Sequence, residues 1–129
     1  MSARILLKSL LVYQAWANDE LLEKLTGLDP RRNANERHAA LRLMNHIHVV
    51  SRIFAAHLTG VAHGYASDNT DETPEPAELR AATAESDRWY LGATACGAGR
   101  VRFHRRRQGP HDHAGDSDPC SPARQLSPW

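Results

Sequence analysis

Between Ser2 and Pro30 the apolar positions recur at three- and four-residue steps: Leu6, Leu10, Tyr13, Ala17, Leu21, Leu25 and Leu28. Residues three or four apart share one face of an α-helix, so this spacing predicts one long helix with an apolar stripe. Ser2 is a candidate cap for its start, and Gly27 with Pro30 marks its end. A second stripe, Leu43, Ile47, Val50, Phe54 and Leu58, predicts a helix over residues 34–60 that stops at Gly60. Residues 61–76 hold Gly64, Asp68, Asn69, Pro74 and Pro76, and predict a loop. Residues 76–94 predict a third, shorter helix with Leu79, Ala82, Trp89 and Leu91 as core contacts. No strand alternation, internal repeat or hairpin turn is present. The expectation is an all-α chain.

The pattern stops near residue 93. Beyond it Gly, Pro, Arg, His and Asp dominate, with almost no Leu, Ile or Val. A segment of that composition cannot build a core. The chain therefore divides into a helical part, residues 1–92, and an irregular tail, residues 93–129. Three amphipathic helices imply a bundle, and their stripes need a further surface to cover them. The tail offers no fourth helix.

Composition narrows the function classes. The 129 residues suffice for one domain with a modest core. A net charge of +1 gives no global reason to expect nucleic acid as a partner. No apolar run is long enough to span a bilayer. Lys8 interrupts the apolar stretch after Arg4, and no small-residue cleavage site follows, so the expected location is the cytoplasm. Cys96 and Cys120 both lie in the tail, at a spacing that fits no zinc site.

The candidate chemistry is a histidine. His46 follows Leu43 by three positions and precedes Val50 by four, so the spacing places it in the apolar stripe of the second helix. His57, eleven residues on, falls roughly on that face too, whereas His48 falls in the sector of Asn45 and Arg52. A lone histidine on an apolar face is ordinarily a core or boundary residue with one hydrogen bond. A catalytic metal needs about three protein ligands. His46 alone does not make a site; partners from a facing helix would.

Two motifs add to this reading. Helix one carries Tyr13, Trp16, Ala17 and Asn18 as Y-x-x-W-A-N. Helix two carries Leu43, Asn45, His46 and Ile47 as L-x-N-H-I and closes with Leu58, Thr59 and Gly60. With Asp87 to Leu91 as D-R-W-Y-L, these resemble the DinB family of four-helix metalloenzymes, over roughly residues 4–92. The resemblance implies a DinB-like four-helix bundle represented here by its first three helices. It implies a divalent metal, zinc or nickel-like in ligand preference, held by three histidines. One is His46; the other two belong to a last-helix motif close to H-G-x-Y-H-R-G. It further implies a metal acting as Lewis acid or lowering the pKa of a bound water or thiol, in a transferase using a low-molecular-weight thiol or in a hydrolase. Homodimers occur in the family. Tyr13, Trp16 and Asn18 are expected to serve packing and buried hydrogen bonds, and His57 at most a supporting role.

The expected last helix is missing from the tail. His104, His111 and His113 are the only later histidines, and Gly109 and Pro110 break any helix there. A shifted reading frame accounts for this. Arg124–Trp129 written CGG CAA CTA TCA CCG TGG becomes, one base on, Gly-Asn-Tyr-His-Arg-Gly. Ala123 as GCA then supplies a preceding His. The same shift turns Gly115–Pro119 into Glu-Ile-Leu-Ile-His. The genetic code leaves third bases mostly free, while first and second bases are mostly fixed. On this reading the arginine-rich stretch from Arg100 to Gln108 is an out-of-frame product of a GC-rich gene, not a nucleic-acid patch. The chain is then expected to be truncated, to bind metal weakly or not at all, and to be inactive. The alternative is a non-catalytic helical module that dimerises through its uncovered apolar surface.

Overall fold

The structure is a computed structural model that describes residues 2–95. The tail beyond Ala95, with Cys96, Cys120 and its three histidines, lies outside the described residues. Three α-helices and no strands make up the described part: α1 (Ala3–Gly27), α2 (Ala34–Thr59) and α3 (Pro76–Ala95).

The helix ends have local causes. The Ser2 hydroxyl accepts from the Ile5 amide at 3.3 Å and caps α1. Gly60 ends α2 in the left-handed region, with φ +72°. Pro76 opens α3, where its missing N–H would be an orphan anyway.

Contacts fix the directions. At the start of α1 the Arg4 guanidinium donates to the Thr94 and Ala95 carbonyls of α3 at 2.8–3.2 Å. Towards the other end Arg80 of α3 pairs with Asp19 of α1 at 2.7 and 3.0 Å. α1 and α3 are thus antiparallel, and theirs is the most extensive helix contact. Leu41 and Met44 of α2 join Leu22, Leu25 and Leu79 in one buried cluster. Further along, the Tyr90 hydroxyl donates to the Ser51 carbonyl at 2.6 Å. α2 therefore runs parallel to α3, and the connection between them must return along the length of α2.

That connection does so in register. Tyr65 meets Arg52, Asp68 meets His46, Asn69 and Thr70 meet Asn45, Thr70 meets Arg42, and Glu75 meets Arg37. The residues predicted as a loop form a crossover strapped antiparallel to α2.

The core lies on a different face from the one the stripes pointed to. α2 buries Leu41, Met44, Asn45, His48, Val49, Ala55 and Ala56. Leu43, Phe54 and Leu58, predicted as core, are exposed by 60%, 61% and 54%, and Ile47 is exposed too. At 100° per residue the two sets lie on roughly opposite sides of the helix. In α1 only Leu22 and Leu25 are buried; Leu6, Leu10, Tyr13 and Leu21 are exposed. In α3 Leu79 and Trp89 are buried as expected. The physical reason is a shortage of partners. Two helices cover one side of α2, and none of the described residues covers the other.

Gly60 provides a direct check on the α2 stop. No neighbouring atom lies within 4 Å of the position a Cβ would take, so Gly60→Ala adds only left-handed strain. We expect a loss of about 1 kcal/mol in chemical denaturation, with no change in helical content by circular dichroism.

Candidate functional site

α2 and the crossover build the site between them. Helical spacing sends Asn45 into the crossover interface, where it is buried. Its amide donates to the Asn69 carbonyl oxygen Oδ1 at 2.6 Å and to the Thr70 hydroxyl at 2.7 Å. The Asn69 amide in turn donates to the Arg42 main-chain carbonyl at 3.0 Å. Ser, Asp, Asn and Thr in succession, residues 67–70, are side chains that bond nearby backbone and so hold a turn without regular structure.

This turn presents the Asp68 carbonyl 2.9 Å from Nδ1 of His46. The Asp68 carboxylate lies 3.7 Å from the same nitrogen. His46 is not a core residue; its side chain is 40% exposed. It lines a groove of about 490 Å³ between α1 and α2, together with Leu11, Gln14, Val50, Phe54 and Tyr90. The groove is mostly apolar, and Tyr90 of α3 contributes to its lining.

The other sequence candidates separate from His46. His57 lies about 16 Å further along the helix axis, from eleven residues of rise. It is exposed and meets His63 edge-on at 5.9 Å, and His63 stacks on Tyr65 at 6.1 Å. Tyr13 and Trp16 are exposed neighbours on α1, with ring centroids 5.7 Å apart. Asn18 makes a part-buried bond between helices: its amide donates to the Asp87 carboxylate at 3.3 Å. This joins the Y-x-x-W-A-N segment of α1 to the D-R-W-Y-L segment of α3.

Two buried titratable groups were not anticipated. Burial raises the Asp87 carboxyl above its ordinary value, and the Asn18 bond opposes that rise. His48 sits on the buried face of α2, and burial with the nearby Arg52 charge lowers its pKa to about 4. Its position next to Asn45 and four residues before Arg52 was the available signal, since that sector proves to be the inner one.

A metal needs a denser donor set than the described residues offer. Among them, no group of three His, Cys, Asp or Glu side chains is placed to hold a metal ion. His46 is a single nitrogen donor among the mostly apolar residues that line the groove. No helix is long and apolar enough to cross a membrane among the same residues. No protein-family model, curated protein or solved structure matches the chain.

His48 gives the site region a pH signature. Its pKa in the folded state, about 4, lies below the ordinary 6.5, so folding favours the neutral ring. That contribution is complete above pH 6.5 and is lost as the pH falls through the folded-state value. We expect unfolding free energies from urea titrations to drop by about 3 kcal/mol across this window, and His48→Leu to remove that component.

Proposed function

We propose that residues 2–95 are the first three helices of a DinB-like four-helix bundle, a divalent-metal protein whose ligand set this polypeptide leaves incomplete. The observation that carries the reading is the place of His46. It lines the groove that α1 and α2 leave open, on the side where a fourth helix would pack. The bare stripe of Leu43, Phe54 and Leu58 beside it is the surface such a helix would cover.

In the complete protein His46 would supply one ligand and the last helix two. The metal would contribute Lewis acidity, or an activated water or small thiol, to a transferase or hydrolase reaction. The chain as it stands is then an inactive, weak metal binder. Metal analysis after exposure to zinc or nickel tests this. The present chain should retain well under one equivalent. A chain re-encoded with the tail frame restored should retain one. His46→Ala in that restored chain should weaken binding by more than the roughly 10–100-fold that supporting partners of a ligand typically contribute. A full equivalent on the present chain, lost on His46→Ala, contradicts the incomplete site.

A second reading rests on its own observation. Ile5, Leu6, Leu7, Leu10, Val12, Tyr13 and Trp16 are all exposed on the first turns of α1, and Leu43, Phe54 and Leu58 on α2. Large apolar side chains left bare on two helices are a common mark of a surface that a partner covers. In this reading the chain is a non-catalytic module, and a second copy covers the patch. Sedimentation should then give a dimer that Leu10→Glu with Phe54→Glu converts to monomer; a monomeric parent chain eliminates it.

A further inference from the structure

The crossover holds His46 more firmly than a stray loop contact would. Three layers of bonding converge on the turn at residues 67–70. Buried Asn45 grips Asn69 and Thr70 from the helix. Asn69 grips the helix backbone at Arg42, and Arg42 returns a bond to the Thr70 carbonyl. Within the turn, the Ser67 hydroxyl donates to the Asn69 carbonyl at 2.9 Å, and the Thr70 amide donates to Asn69 Oδ1 at 2.9 Å. The backbone at Asp68 is therefore set by its neighbours on both sides.

We infer that this turn is a clasp that fixes the tautomer of His46, with Asn69 as its positioning residue. A main-chain carbonyl can only accept, so the 2.9 Å contact with Asp68 requires the proton on Nδ1. The bond made by one ring nitrogen decides the state of the other. Whenever the ring is neutral, Nε2 then carries the lone pair, on a ring that lines the α1–α2 groove. Neutral imidazole free in water prefers the opposite arrangement, with the proton on Nε2. The clasp thus prepares an electron-pair donor at the groove, of the kind a divalent cation or an N–H or O–H group accepts. The inference goes beyond the metal reading and concerns the chain with nothing bound, so it stands or falls separately.

The test is a long-range proton–nitrogen spectrum of the ¹⁵N-labelled full chain at about pH 8.5, roughly two units above the ordinary histidine pKa. His46 should show a protonated Nδ1 and a bare Nε2. Asp68→Asn should leave this pattern intact, because the accepting carbonyl remains. Asn69→Ala should shift His46 to the Nε2–H form at unchanged helical content. Thr70→Val, which removes the second acceptor for Asn45, should shift it in the same direction and serves if Asn69→Ala fails to fold. A parent chain already in the Nε2–H form overturns the inference. So does a pattern that survives both clasp substitutions in folded protein.

Discussion

Leu22 and Leu79 hold the three helices at one point. Both are almost wholly shielded from water, where α1, α2 and α3 meet with Leu25, Leu41 and Met44 around them. Each buried leucine of this kind is worth about 2 kcal/mol of transfer free energy. From that knot α1 and α3 continue together, seamed by Asn18 with Asp87 and closed by Arg4 on the end of α3. α2 continues with α3 through Val49, Ala55 and Tyr90. α1 and α2 have little left to share, and the groove opens between them. The position of His46 follows from this divergence.

The crossover is the second consequence of the same geometry. Because α2 and α3 run parallel, residues 61–75 must travel back along α2, and they do so over a face that is polar by sequence. Arg42, Asn45 and His46 all spend their polar groups there. A single Asn, at position 45, thereby serves as a fixing point for the turn that faces the groove histidine. Buried polar groups of this sort are kept only when satisfied, and the Asn45 amide is.

The helices and their stops were legible in the chain, and residues 61–75 were legible as a loop but not as a crossover. Ser2, Gly60 and Pro76 mark ends by local chemistry alone, and local chemistry is what a sequence states most directly. The buried face was not legible. α2 is apolar on two sides, and periodicity reports faces without saying which one has a partner. The longer stripe, Leu43 to Leu58, drew the prediction, while the covered side mixes Ala, Asn and His with Leu and Val. His46 was found as a candidate but for a stripe that is bare, and its real setting depends on the loop pairing, a contact 22 residues away in sequence. His48 and Asp87 became visible only once their helices were packed.

We propose that the bare face and the groove histidine belong to a bundle whose last helix is written in another frame. The nucleotide sequence from the codon of Glu85 to well beyond that of Trp129 decides this. The expected result is a one-base-shifted frame that encodes an amphipathic helix carrying two histidines four residues apart. A shifted frame that is interrupted by stops, or that lacks such a helix, contradicts it.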